Sequence, residues 1–281
     1  MIPISSLDDE SVLLPRITPW VVKLWAVIGV VHLLFVLIAL VVAGVGYKYV
    51  RQDYEAFLAL GPGGTTYSFR GYTRLAFIRC FRLRNPYSAP ELSPRLRPEH
   101  GFLKTLQARD GPRPALIGIA PQRQLTQTCG PAMISLLQQT IRSLASECPT
   151  HWFVARSAFE KHSEALFSRY KTFTEPDYYG EIAHAHASDG SMHLTLHPED
   201  VKSVLDKGWG ERHPLAHGRT WWWHSPVPRG FMIIYAPRDQ AELREITDII
   251  RAAAWWVSGV GLRDCQGEML EKSSAVQKMN E

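Results

Sequence analysis

The stretch "EIAHAHASDGSMHLTLH", Glu181 to His197, holds four of the chain's 11 histidines. "KGWGERHPLAHG", a few residues on, holds two more, His213 and His217. Imidazoles this dense can ligate a metal, move protons near neutral pH, or hydrogen-bond one another's neighbours in a buried polar cluster. Asp189-Gly190 signals a tight two-residue hairpin turn, because glycine accepts positive φ. That turn sets His186 opposite His193 and His184 opposite Thr195. Strand side chains alternate faces. One face then carries Ile182, His184, His186, His193, Thr195 and His197, and the other Ala183, Ala185, Met192, Leu194 and Leu196. The second face is an apolar surface suited to burial under helices. The first is an imidazole cluster on a rigid scaffold. A slip of one residue would break the cross-strand pairing of the histidines.

His-x-His with a third histidine across a hairpin resembles the layout of many non-haem iron or zinc sites. No carboxylate shares the predicted imidazole face, which weighs against a metal. Glu181 could fix a histidine only if the backbone bends, since in a regular strand it points to the opposite side. His197 precedes Pro198, and "HPEDVKSVLDKG" reads as a helix start with acids in its first turn, so His197 is read as structural. Gly208 then falls at the position that terminates this helix. Trp209, between two glycines, either lies flat against a ligand or plugs the core. Arg212 and His213 are held extended by Pro214, and an arginine beside the cluster could hold an anionic oxygen. Trp221, Trp222 and Trp223 either line or cover an apolar pocket or form a membrane-contacting or packing loop, and "FMIIYAP" is a buried strand.

The elements that must position these residues follow from a globular composition, 46% hydrophobic and 21% charged. The net charge of +4, with no strip of Lys or Arg, argues against a nucleic-acid partner. Cys80, Cys129, Cys148 and Cys265 form no CxxC pair. Neither a zinc knuckle nor a disulfide framework is expected, and a reducing compartment fits. Leu24 to Gly46 is apolar over a length that crosses a bilayer, with His32 its one clearly polar side chain and Trp20, Trp25, Tyr47 and Tyr49 at its ends. It is longer than a signal-peptide core and lacks a clean cleavage site, so an uncleaved anchor is expected. Positive charge is richer after the span, from Lys48 and Arg51 to the arginines between 70 and 84. This predicts a single-pass membrane protein, in the endoplasmic reticulum, with its bulk in the cytosol.

"RQDYEAFLAL" reads as a helix stopped by Gly61-Pro62-Gly63-Gly64. "FRGYTRLAFIRCFRLR" is either an amphipathic element on the membrane surface or a domain helix with a solvated basic face. Residues 85–115 read as an extended connection. "GPAMISLLQQTIRSLAS", "SAFEKHSEALFSRY" and "RDQAELREITDIIRAAAWWV" have helical spacing, the last burying Leu243, Ile246, Ile249 and Ile250. The expected architecture is α+β: a tail (1–23), a transmembrane helix (24–46), one globular domain (48–262) with a mainly antiparallel sheet packed by helices, and a flexible tail (263–281).

In order and spacing, "RQDYEAFLALGPGGTTYSFRGY", "QRQLTQ", "EIAHAH…GSMHLTL", "KGWGERHPLA" and "IIYAPRDQAE" resemble the fungal luciferase family, over about Arg51 to Trp256. "EIAHAH" and "GWGERHPLA" carry most of the likeness; residues 85–150 and the Trp221–Trp223 loop depart from it. The resemblance implies an oxygenase that adds O₂ to 3-hydroxyhispidin, a catechol-bearing α-pyrone. Loss of CO₂ from a cyclic peroxide leaves an excited caffeoylpyruvate-type product that emits green light. It implies no flavin or nucleotide, only molecular oxygen as co-substrate.

The residues suit that chemistry. A histidine can take the proton of an enolic hydroxyl, and the resulting anion is electron-rich enough to meet O₂. His184 or His186 would be the base and His193 would orient its tautomer. Arg212 and His213 would steady the developing oxyanion, with Glu181 and Thr195 beside the substrate. Trp209 and Tyr235 would form water-excluding walls. A dark homologue acting on another phenolic or pyrone, and a non-catalytic membrane-tethered binding protein, are the alternatives.

Overall fold

The computed structural model describes residues 19–170, 179–217, 225–261 and 265. The expectations for residues 1–18, for Trp221–Trp223 and for most of the C-terminal tail fall outside the described residues. Contacts divide the chain into two compact units, between Glu55 and Ala56.

One helix, α1 (Pro19–Ala59), runs for 41 residues through both the apolar span and "RQDYEAFLA", which the sequence separates into two elements. No Gly-Pro or Asn-Gly break interrupts residues 47–59, so propagation simply continues; Gly61-Pro62 stops it. At about 1.5 Å per residue the helix is roughly 60 Å long, twice the hydrocarbon thickness of a bilayer. It is long and apolar enough to cross a membrane. The apolar side chains of its membrane-length part are largely exposed, as lipid-facing residues would be, whereas Phe57 near its end is buried; His32 Nδ1–H donates to the Ile28 carbonyl (2.8 Å) within the helix.

In the second unit, α2 (Phe69–Arg79) starts at Ser68, whose hydroxyl accepts from the Gly71 amide. It buries Tyr72 and Leu75 and exposes Arg70 and Arg74, which supports the domain-helix reading of this basic segment. Residues 80–115 contain no helix or strand: the connection expected over 85–115 is present, and the basic element ends at Arg79 instead of reaching Arg84. They are nonetheless fastened: the amides of Gly101, Phe102 and Leu103 donate to the carboxylates of Glu199 and Asp200. A short antiparallel pair, β1 (Leu116–Gly118) and β2 (Gln122–Gln124), leads to α3 (Pro131–Glu147).

The main sheet contains β3 (Trp152–Arg156), β4 (Glu164–Ser168), β5 (Glu181–Ala185), β6 (Met192–Thr195), β7 (Gly210–Arg212) and β8 (Phe231–Ile234). Its order is β3-β4-β5-β6-β8-β7 and every neighbouring pair is antiparallel. Between β6 and β7 lies α4 (Pro198–Asp206), and α5 (Gln240–Ser258) follows β8. The expected α+β class is what the chain adopts. The helix expected over "SAFEKHSEALFSRY" is instead a turn and the strand β4. Its contiguous Ala165, Leu166 and Phe167 are all buried, and a run buried on both faces of an inner strand carries no period-two alternation to reveal it.

One face of the sheet is apolar and covered by α3 and α5. Met192, Leu194, Met232 and Ile234 meet Leu137, Ile141, Ile246, Ile249 and Ile250 there, each 0–2% exposed. Each such side chain contributes about 1.5–3 kcal/mol by leaving water. Asp239 caps α5 by accepting from Glu242 N–H (2.9 Å). Cys148, just past α3, is disulfide-bonded to Cys265 across 117 residues of sequence. This corrects the expectation of no disulfide: cysteines that far apart show no spacing signature.

Candidate active site

The hairpin of β5 and β6 turns through four residues, Ala187 to Gly190, rather than two. His186 N–H donates to Ser191 O (2.8 Å) and Gly190 N–H to His186 O (3.0 Å). Asp189 is drawn out of the tight turn because its carboxylate accepts from the Ser191 amide (2.8 Å), the Ser191 hydroxyl (2.5 Å) and the Gln124 amide (3.3 Å). Gly190 has φ +77°, and a Cβ there would lie 2.1 Å from Cys129 Sγ, so only glycine fits. His184 therefore pairs with His193, not His186. The register moves by two residues, an even number, so every side chain keeps its face. His184, His186 and His193 do share one side of the sheet, with ring centroids 4.9–5.5 Å apart.

Two expected members of that face lie elsewhere. Between β4 and β5 the register shifts: Ala165 faces His184 and Leu166 faces Ala183, but Phe167 faces Glu181. Ile182 is the extra residue of a bulge and turns into the apolar core. The same bulge brings Glu181 round to the histidine side, where its carboxylate accepts from His184 Nδ1–H (2.5 Å), Ser157 Oγ–H (2.8 Å) and Ala158 N–H (2.6 Å). The bend that sequence reasoning required for this contact is thus present. His197 leaves the cluster as expected. It caps α4 by accepting from Glu199 N–H (3.1 Å) and packs edge-on against Trp256.

The second carboxylate of the site, Asp189, is a residue the sequence reading used only for its turn. It accepts from Ser191 Oγ–H, so that oxygen in turn accepts from His186 Nδ1–H (2.9 Å). Burial pushes the Asp189 carboxyl up, but His186 and Ser191 outweigh it and hold it below the ordinary carboxylate range. His193 Nδ1–H donates to the Met232 carbonyl (3.0 Å), and its ring stacks on Phe231 at 4.9 Å. Burial above all, then repulsion from the neighbouring imidazoles, lowers the pKa of His193 well below that of a free histidine. Burial likewise lowers that of His186. In all three rings Nδ1 is a donor, so each Nε2 carries a lone pair. Those of His184 and His186 are buried without a partner.

The cluster faces a cavity of about 410 Å³, within the range of ligand pockets, ~300–1,000 Å³. His184, His193 and His213 line it, with Phe231 and Phe159, and so do Arg74, Leu75 and Ile78 of α2. His213 is fixed as the Nε2–H tautomer: it donates to Ile119 O (2.8 Å) and accepts from Leu215 N–H (3.1 Å). Burial lowers its pKa to about 4.

Arg212 is not on this wall. In β7 it pairs with Met232, whose side chain is in the core, so it faces away from His193. Its guanidinium is consumed by the carbonyls of Ser88, Ala216 and Arg229, which ties the segment 80–115 to two points of the β7–β8 connection. The cations that line the cavity are Arg74 and Lys161, which the sequence did not single out. Trp209 plugs the core, with Nε1–H donating to Gln107 O (2.6 Å). Tyr235 is buried beneath Arg109, 5.6 Å from the ring centroid, and burial raises its pKa to about 12. Thr195 is buried opposite Phe231. Neither Tyr235 nor Thr195 lines the cavity.

The family profile described as Luciferase domain matches residues 179–253, which include the three imidazoles, Glu181 and His213. A luciferase of Neonothopanus nambi is 29% identical over 247 residues, covering 82% of this chain and 88% of that protein. Luciferases of Armillaria gallica and Armillaria mellea are each 32% identical, over 78% and 76% of this chain and 86% and 84% of theirs. No solved structure matches the chain. With the histidine cluster inside the matched interval, and likeness extending along most of the chain, this protein belongs to the fungal luciferase family.

Proposed function

We propose that the protein is an oxygenase of the fungal luciferase type that adds O₂ to 3-hydroxyhispidin, releases CO₂ and leaves an excited caffeoylpyruvate-type product. Substrate plus O₂ balances product plus CO₂, so the reaction calls for no external reductant. The observation that supports this most is the set of converging imidazole lone pairs at the wall of a partly aromatic cavity that opens to solvent. An enolic hydroxyl delivered to His184 and His193 gives up its proton to the cluster. Glu181 behind His184 fixes the ring's tautomer and orientation. Arg74 and Lys161 take over the part first expected of Arg212, steadying the anion that meets O₂. Phe231 and Phe159 keep water from the product.

Membrane anchoring by α1 belongs to the proposal, since it holds the enzyme where a poorly soluble pyrone partitions. Placement in the endoplasmic reticulum with the domain in the cytosol rests on the basic excess after the span. A Cys148–Cys265 disulfide persisting in cells would place the domain on the lumenal side instead.

Purified full-length protein mixed with 3-hydroxyhispidin in air tests the reading. Light with oxygen uptake is the expected result. Uptake without light identifies a dark oxygenase of the same family. Binding without turnover identifies a tethered binding protein and overturns the proposal.

A further inference from the structure

We propose that His184, His186 and His193 bind one first-row divalent metal ion, of the zinc or ferrous iron type, through their Nε2 atoms. The argument is one of hydrogen-bond accounting. Every Nδ1–H of the trio is already given away: to the Glu181 carboxylate, to the Ser191 hydroxyl and to the Met232 carbonyl. Three acceptor lone pairs are left, and one ring nitrogen from each residue lies within 4.8 Å of the other two. No protein donor serves the Nε2 of His184 or His186. Leaving buried acceptors unpaired is costly. A bridging water could donate to the two buried lone pairs of His184 and His186 but not to all three of the trio. A cation satisfies all three at once.

The surroundings match what such a site needs. A ligating histidine is normally held by a carboxylate or carbonyl on its other nitrogen. Here Glu181 holds His184 directly, Asp189 holds His186 through Ser191, and a carbonyl holds His193. The bulge in β5 and the four-residue hairpin loop are the two departures from regular structure that create these supports. Two buried carboxylates, those of Glu181 and Asp189, thus stand directly behind the trio. The case against a metal was that no carboxylate shares the imidazole face, and the bulge removes it. Three imidazoles leave a coordination position open, as in catalytic sites, and His184 and His193 place it on the cavity. Metal binding itself does not depend on the oxygenase reading. Where both hold, the ion rather than a free imidazole acidifies the enolic hydroxyl.

The test uses full-length protein in detergent, stripped with chelator and titrated with Zn²⁺ or Co²⁺. One ion per chain is expected, with a cobalt absorption spectrum of low coordination number. Saturation at about a hundredfold excess over Kd should raise Tm by roughly 5–10 °C. Asp189→Asn should weaken binding about 10–100-fold while the chain stays folded. His186→Asn should abolish both the spectrum and the Tm rise. His100→Asn, at an exposed histidine, should change nothing. No Tm rise in the wild type, an octahedral aqua-like cobalt spectrum, or an unchanged stoichiometry in His186→Asn overturns the proposal. If His186→Asn fails to fold, the wild-type spectrum and Asp189→Asn decide. Oxygen uptake by rigorously metal-free protein refutes the metal's role in turnover but leaves the oxygenase reading standing.

Discussion

Glu181→Gln is the perturbation that reaches furthest into the site. The carboxylate takes four donors: His184 Nδ1–H at 2.5 Å, Ala158 N–H at 2.6 Å, Ser157 Oγ–H at 2.8 Å and Phe159 N–H at 3.4 Å. An amide offers one oxygen, and its NH₂ must confront the donors that served the other. Whichever way it turns, one pair of donors loses its acceptor. At about 1–3 kcal/mol for each buried group stranded this way, the variant should lose roughly 2–5 kcal/mol. For a domain of this size that is a fall in Tm of roughly 5–15 °C. The loop 157–159 forms part of the cavity wall, and His184 loses the charge behind its ring. Turnover should fall about 10–100-fold even at temperatures where the variant is folded. The assay pairs thermal unfolding with initial rates at 15 °C. A variant that melts within about 2 °C of wild type and turns over normally would refute the claim that Glu181 organises the site.

Three further outcomes follow from the same geometry. Cys148→Ser, which opens a crosslink spanning 117 residues, should cost about 4–5 kcal/mol under oxidising conditions and nothing under reducing ones; an equal Tm in both would deny the bond. Burial holds the folded-state pKa of His213 down at about 4, so its neutral form is favoured on folding. The stability this represents is full above about pH 6.5 and is lost as pH falls toward 4, by about 3 kcal/mol. Denaturant midpoints that do not fall between pH 7 and 5 would contradict it. Deleting residues 1–47 should release a soluble, folded protein, because Phe57 and the core beyond it stay intact; sedimentation with membranes would instead assign lipid contact to the basic segment of α2.

The three imidazoles were legible because strand alternation is a local rule, and because the error in the turn was even. A two-residue slip changes partners but not faces, so His184 and His193 stayed together although the hairpin loop was misjudged. What stayed hidden depended on distant chain. Asp189 is held by Ser191 nearby and by Gln124 from a distant strand, and Glu181 crosses to the histidine side through a bulge against β4; the contacts with Gln124 and β4 have no signature in the local string. Arg212 was misplaced for the same reason. Its face is set by pairing with Met232, twenty residues on, which puts it on the side of the sheet away from His193. Trp209 between glycines suited a wall or a plug equally, and only the packing of α4 against the sheet decides for the plug.

The most direct measurement of the central claim is oxygen consumption by wild type and by His184→Asn, each at saturating 3-hydroxyhispidin and each verified as folded. The account predicts rapid uptake with CO₂ release in the first and a loss of at least a hundredfold, about 2.7 kcal/mol of barrier, in the second. Equal uptake by the two proteins, or none by the wild type, would contradict it.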